Sequence, residues 1–354
     1  MYKKTINVVI TGATGYVGLE LIKYLTKHSK VKIVALCSEN NSGKHINYFD
    51  KSIKKKLPKL VKINKVDWRS VDLLFTSLPN GRAQNIINKL FFLYPKMKFI
   101  DLSADFRLSD PKIFKKWYKI NHKAKNLIKK SIYALSELVK KDIKKYRIIS
   151  NPGCYATSIQ IPLIPLLKNK QIDLKNITID SKSGYSGAGK FYKKKFTYDN
   201  FYETTYAYSV KEHRHIAEID QEFKKYTNKT VNYTFNPHIL PTFKGILSSI
   251  YIRTKKNLNS KNLTKILKKF YKKNNFIKIL PANSQIGTNT VLNSNNCEIS
   301  ICQSRYSDKI TIFSAIDNLG KGAAGQAIQN MNLIFSINES EGLKWGSCWL
   351  FFFY

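Results

Sequence analysis

The sequence predicts an α/β protein with two units: a Rossmann-type, parallel-sheet dinucleotide-binding domain, and an α+β catalytic domain built on a mixed or antiparallel sheet. Three observations carry that prediction. An apolar, β-branched run ends in Gly12-x-x-Gly15-x-x-Gly18 and passes through a helical pattern into a second apolar run, which together read as a βαβ unit. After Cys154 the pattern changes to period-two strands joined by helix candidates. Near the end, a glycine-rich turn at 317–326 opens a helix over 327–335, expected to pack back onto the first unit. The boundaries read as 1–153, 154–316, a returning helix in 317–343, and an atypical aromatic tail at 344–354.

Taken in order, residues 5–11 form the first strand, 19–27 a helix with Leu21, Ile22 and Leu25 on one face, and 31–37 the second strand. Residues 71–77 and 98–102 are further strands, each followed by a polar loop, 77–81 and 101–105. Ligands of open parallel sheets sit at such carboxyl ends, so these loops are expected to face a cofactor. In the second unit, 177–182 and 245–253 read as strands and 262–273 as a helix. The run Ser183-Gly184-Tyr185-Ser186-Gly187-Ala188-Gly189-Lys190 is too glycine-rich for an ordinary strand and reads as a backbone loop pressed close to a ligand.

A length of 354 residues supports two ordinary cores and excludes a small stapled scaffold. The five cysteines form no CxxC pair and are odd in number, which fits a reducing compartment. The first apolar run, 6–10, is too short for a signal peptide, and nothing approaches the roughly 20 apolar residues of a membrane span. The expectation is a soluble cytoplasmic protein without membrane partners. The formal net charge of +38 invites a nucleic-acid reading. Only seven of the 61 basic residues are arginine, however, and the lysines are spread among abundant Asn, Ile, Phe and Tyr, with local runs at 54–56 and 193–195. All of these residues have AT-rich codons, so compositional drift explains the charge without a specific nucleic-acid partner.

The chemistry is expected at two places. Gly12, Thr14, Gly15, Tyr16 and Val17 lie in a turn that follows a strand and opens a helix, the setting in which glycines let a pyrophosphate approach backbone amides. Beyond the second strand, Glu39 suits a ribose hydroxyl, whereas Ser38, Asn40, Ser42 and Lys44 suit a 2′-phosphate, leaving NAD and NADP both open. Cys154 follows Pro152-Gly153 at a helix start, where backbone amides favour a thiolate nucleophile. His213 and His215, beside Glu218, are its best partners: an imidazole can exchange protons while a carboxylate orients it. No metal-ligand spacing is present.

The strings TGATGYVG, DLSADFRL, NPGCYATS, SGYSGAGK, HRHIAEI, FNPHILP and DNLGKGAAGQAIQNMN together resemble the N-acetyl-γ-glutamyl-phosphate reductases, in order and over nearly the whole chain. That resemblance implies an NADP(H)-dependent reduction of an acyl phosphate to a semialdehyde in arginine biosynthesis, through a thioester on Cys154. It further implies His213 as the proton-handling histidine supported by Glu218 and His215, and Asn318, Gly187 and Gly189 beside the nicotinamide. Homo-oligomeric assembly is implied in the same way. Arg107 suits a phosphate or carboxylate because a guanidinium binds planar anions bidentately. The resemblance also implies Arg107, His215 and Lys244 as substrate-binding residues; Lys244 stands where the family usually has arginine, a point charge in place of a fork, and Ala156 and Ser136 replace common prolines. The rival readings are a sister reductase acting on aspartyl phosphate or an amino-adipyl homologue and, from another class, a basic nucleic-acid-binding protein on a degenerate reductase fold.

Overall fold

The computed structural model describes residues 5–190, 203–255, 258–306 and 308–343. The lysine run at 193–195 and the aromatic tail at 344–354 lie outside the described residues.

The first seven strands are β1 (Ile6–Thr11), β2 (Val31–Cys37), β3 (Leu60–Val61), β4 (Leu73–Thr76), β5 (Lys98–Asp101), β6 (Ser131–Tyr133) and β7 (Ile148–Ser150). They form one sheet in the order β3-β2-β1-β4-β5-β7-β6, parallel at every pairing. Both faces are buried, and the residues show how. Val8, Ile10, Leu73, Phe75, Ile100 and Ile149 point into one apolar cluster, while Val9, Leu74, Phe99 and Ile148 point into another on the opposite face. Two-sided burial explains why these strands read as continuous apolar runs instead of alternating ones.

The first helix is Tyr16–Leu25, not the predicted 19–27. It starts inside the glycine turn because Gly18 needs no room: a Cβ there would lie 2.3 Å from the Gly12 carbonyl oxygen. At the chain's end, helix Gly325–Ile334 packs Ala327, Ile328, Met331 and Ile334 into the same apolar cluster as β1 and the first helix.

The second sheet contains β8 (Ile177–Gly184), β9 (Tyr206–Ala207), β10 (Tyr233–Leu240), β11 (Ile246–Arg253), β12 (Ile277–Ile279), β13 (Cys297–Gln303) and β14 (Lys309–Ile316). Its order is β12-β13-β14-β11-β8-β10-β9, with β8 parallel to β10, β12 parallel to β13 and the remaining pairs antiparallel. Helices Cys154–Lys168, His215–Thr227 and Ser260–Phe270 supply apolar side chains to the cluster beside it. The glycine-rich run departs from the expected loop: β8 continues through Gly184, and Tyr185–Ala188 forms one 3₁₀ turn. Gly184 stays in the strand because its bare α-carbon fits against the backbone of Phe243 and Lys244, where a Cβ would lie 2.6 Å from the Phe243 oxygen.

Candidate active site

Strand register builds the site. Thr11 pairs with Thr76, Thr76 with Asp101, and Asp101 with Ser150, so four parallel strands end side by side. The segments that follow, the glycine turn, the loop from Ser77, the loop from Leu102 and the Asn151-Pro152-Gly153-Cys154 run, therefore share one edge of the sheet.

At the first of these, Gly12 adopts φ +70, and a Cβ there would lie 1.9 Å from the Ser77 oxygen. Gly15 is the N-cap of helix Tyr16–Leu25, and no side chain caps that end. An uncapped helix start with glycine at positions 12, 15 and 18 has the form of a pyrophosphate cradle. Thr14 and Val17 lie in the same turn, and the Tyr16 ring packs edge-on to Phe243 at 5.2 Å from the second unit. At the end of β2, the Glu39 carboxylate accepts the Ile63 amide at 3.3 Å, and the Ser38 hydroxyl accepts Asn41 Nδ2 at 3.2 Å.

Cys154 begins helix Cys154–Lys168 directly after its N-cap, Gly153. It lines a cavity of about 80 Å³ together with Tyr155, Ser183, Gly187, Tyr208, His213 and His215. The expected stabilised thiolate is not what this cavity makes. Burial pushes the thiol up to about 11, and the Tyr155 amide and the Arg107 charge only partly oppose that. Burial also holds His213 down to about 2, with His215 adding to the effect, and holds His215 well below its ordinary value. Thiol and imidazoles are all neutral in the free protein.

Glu218 is the hub behind this cavity. One carboxylate oxygen accepts Arg107 Nη1 at 3.1 Å and lies 3.7 Å from His215 Nε2. The other accepts the Tyr133 hydroxyl at 2.9 Å and the Gly153 amide at 3.0 Å. Arg107 also donates from Nε to the Asn151 carbonyl at 2.9 Å and from Nη2 to the Leu102 carbonyl at 3.3 Å. The guanidinium assigned to substrate from sequence is thus buried and largely engaged in holding the cysteine segment.

Lys244 is placed differently from the sequence expectation. Its ammonium donates to Glu20 on the first helix at 2.9 Å and to Asn293 Oδ1 at 3.2 Å, and lies 3.8 Å from Asp317. It ties the glycine-turn helix to the second unit and is not among the residues lining the Cys154 cavity. Asn318 is likewise engaged, donating to Ser186 Oγ and accepting the Gly245 amide, each at 2.8 Å. It thereby holds the Gly187 turn at the cavity wall. Gly189, at φ +83, has open space beyond its α-carbon. Ser136, where the family commonly has proline, donates to Asn330 Oδ1 at 2.6 Å, and Ala156 is fully buried.

Two family models match the chain: the semialdehyde dehydrogenase NAD binding domain over residues 7–146 and the semialdehyde dehydrogenase dimerisation domain over residues 154–318. N-acetyl-γ-glutamyl-phosphate reductases of Afipia carboxidovorans and Brachyspira hyodysenteriae are 41% and 42% identical to it, across 96% of this chain and 97% and 98% of theirs. The chain belongs to the N-acetyl-γ-glutamyl-phosphate reductase family. A probable chloroplastic member of this reductase family from Arabidopsis thaliana is 38% identical over 96% of this chain and 84% of its own. Among solved structures, aspartate semialdehyde dehydrogenase II of Vibrio cholerae, complexed with ASA, superposes with a TM-score of 0.69 at 16% identity, covering 94% of this chain and 99% of that one. The Candida albicans enzyme with NADP gives 0.66 at 15% identity, covering 93% and 98%. At such identities these two structures speak for the reductase fold alone.

Sequence reasoning missed Tyr133, Tyr208 and Glu20. Tyr133 in an apolar strand and Glu20 on a helix carry no local signal, their partners lying 85 and 224 residues away; Tyr208 is only five residues from His213, but no motif marks it. Asn151 and Gly153 were in view as part of the cysteine motif, but their bonding was not. Among the described residues, no helix is long and apolar enough to cross a membrane.

Proposed function

We propose that this reductase converts N-acetyl-γ-glutamyl phosphate to N-acetylglutamate semialdehyde and phosphate with NADPH, in arginine biosynthesis. The observation that carries the reading is the placement of Cys154 at a helix start, in one cavity with His213 and His215 and on the same sheet edge as the Gly12–Gly18 turn. The relatives' shared name supplies the substrate. The cradle at Gly12, Gly15, Tyr16 and Val17 fits a dinucleotide, with Ser38 and Asn41 at the ribose end, where Glu39 is already bonded to the Ile63 amide. Gly187, Gly189 and Asn318 would border its nicotinamide.

The bound cofactor supplies a hydride to the acyl carbon. Everything else falls to side chains. Cys154 sulfur attacks the acyl carbon, an S–C bond forms, and the C–O bond to phosphate breaks with the electron pair leaving on phosphate. The two imidazoles exchange protons and hydrogen bonds with sulfur and carbonyl oxygen while the thioester is reduced; the C–S bond then breaks to free the aldehyde. Glu218 and Arg107 hold the cysteine segment throughout. We assign the same chain a cytoplasmic location, supported by free Cys37, Cys154, Cys297 and Cys302, and homo-oligomeric assembly through the unit matched by the dimerisation model.

The test is NADPH oxidation coupled to phosphate release with N-acetyl-γ-glutamyl phosphate, set against aspartyl phosphate and the amino-adipyl homologue. Preferential turnover of the first supports the reading, and turnover confined to another acyl phosphate overturns the substrate. Full activity in Cys154→Ser would overturn the thioester. Light scattering on the eluted protein checks the oligomer: a monomeric mass refutes it.

A further inference from the structure

The Cys154 side chain also rests against a segment that does not line its cavity. A π-helical turn, Gly320–Ala324, leads into the final helix Gly325–Ile334. Asp317 starts its wide ladder. The carboxylate accepts the Leu319 and Gly320 amides at 2.8 and 3.0 Å, while the Gly322 amide bonds the Asp317 carbonyl at 2.9 Å and the Ala324 amide the Leu319 carbonyl at 2.8 Å, each five residues back. Gly322 meets the nucleophile: a Cβ there would lie 2.7 Å from Cys154 Cβ and 3.2 Å from its Cα. Asn151, in the cysteine's own segment, ties the two together, its Nδ2 donating to the Ala323 carbonyl and its Oδ1 accepting Asn330 Nδ2, each at 3.1 Å.

Between Gly320 and Gly322 the turn carries Lys321, which is fully buried. Its ammonium donates to Glu137 Oε1 at 2.6 Å, in helix Ser136–Val139 of the first unit, and to Gln329 Oε1 at 2.8 Å. Gln329 closes the triangle by donating to Glu137 Oε1 at 3.0 Å. A buried ion pair adds little net stability over apolar residues of similar volume, because desolvation offsets the attraction. What it adds is a single arrangement, since each buried polar atom must keep its partner. The charges that bear on the thiol itself are those of Arg107 and Glu218, so Lys321 bears on Cys154 through the placement of Gly322.

We infer that the π turn is the seat of Cys154 and that Lys321 is the positioning residue that fixes it: its bond to Glu137 clamps the turn to the first unit, Gly322 receives the cysteine Cβ, and Asn151 keeps the two segments in register. The inference rests on the reductase reading and adds a positioning residue to it. Neither Lys321 nor Gly322 lines the cavity, so loosening the seat leaves the affinity for the acyl phosphate and for NADPH in place. The attack by sulfur is what suffers, because a displacement of about 1 Å in a reacting atom costs on the order of 10²-fold in rate.

Turnover and alkylation of the full-length protein test this. With NADPH and the acyl phosphate, Gly322→Ala is expected to lose about 10²-fold in kcat and Lys321→Met about tenfold, with both KM values within about threefold of wild type. The double variant Lys321→Met with Glu137→Leu leaves neither charge of the pair buried alone and is expected to retain a cooperative melt, yet its kcat should stay about tenfold down. Wild-type kcat in the folded double variant, or losses confined to KM, overturn the inference. Iodoacetamide modification of Cys154, followed by peptide mass without substrate, reads the seat independently of the reaction. A Cβ at Gly322 pushes the cysteine toward its cavity, so the rate at pH 8 should rise about threefold or more in Gly322→Ala. An unchanged rate overturns the inference even where the wild type turns over the acyl phosphate. Should the wild type not turn it over, the substrate reading fails and the alkylation rates alone decide the seat.

Discussion

The Gly153 amide donates to Glu218 at 3.0 Å, and the Gly153 α-carbon sits so close to the same side chain that a Cβ would lie 2.6 Å from its Oε1. The same Cβ would meet His215 Nε2 at 2.3 Å. Gly153 has φ −73 and ψ 152, which any residue adopts, so proximity alone requires glycine here. Gly153→Ala is expected to cost about 1–3 kcal/mol through overpacking. It should also lower kcat by about 10²-fold, because Cys154 is the next residue. Thermal melting and steady-state turnover check the pair of effects, and an unaltered kcat would contradict this account of the site.

Arg107 and Glu218 are both buried and joined at 3.1 Å. Removing either partner leaves a buried charge without its counterpart, so Arg107→Met or Glu218→Leu alone should cost about 3–5 kcal/mol. The double variant should cost less than the sum, because neither charge then remains. Urea unfolding of the four proteins gives the coupling directly; strict additivity would mean that the pair is not coupled.

Lys244 is held by Glu20, Asn293 and Asp317. Lys244→Met should cost on the order of 2 kcal/mol by taking one cation from buried Glu20, which keeps only Lys23 at 4.0 Å, and from buried Asp317. With its ammonium occupied in this way, the KM for the acyl phosphate should move less than threefold. A tenfold rise in KM with unchanged melting would return Lys244 to the substrate.

The Cys154 thiol, pushed up to about 11 by burial, should be slow to alkylate. In the free enzyme, the iodoacetamide rate at Cys154 should be at least tenfold below that of free cysteine at pH 8 and still rising at pH 10. A plateau below pH 8 would show a stabilised thiolate instead.

His213 is held down to about 2 and His215 well below its ordinary value, so unfolding lets both rings take up protons once pH falls below about 6.5. The stability they contribute is present above that pH and lost as the solution is acidified. His213→Gln removes one such site. Its stability should fall less steeply than that of wild type, with the curves converging by on the order of 1–2 kcal/mol between pH 7 and 5 in urea titrations. Parallel curves would show that the ring is protonated in the folded protein.

The sequence by itself determined the βαβ start, the change of sheet type after Cys154, the glycine turn, and the cysteine and histidine motifs. Each of these is a local pattern: β-branched runs, glycines where a Cβ cannot fit, a Pro-Gly step into a helix. Tertiary structure decided what those residues do. Strand register set Thr11, Thr76, Asp101 and Ser150 side by side and so gathered four loops. Long-range contacts then turned Arg107 toward Glu218, Lys244 toward Glu20 and Tyr133 toward the cysteine segment. The ionisation state of Cys154 was also beyond the sequence. A helix start favours the thiolate and burial opposes it, and burial dominates in the cavity that Tyr155, Tyr208, His213 and His215 line around Cys154.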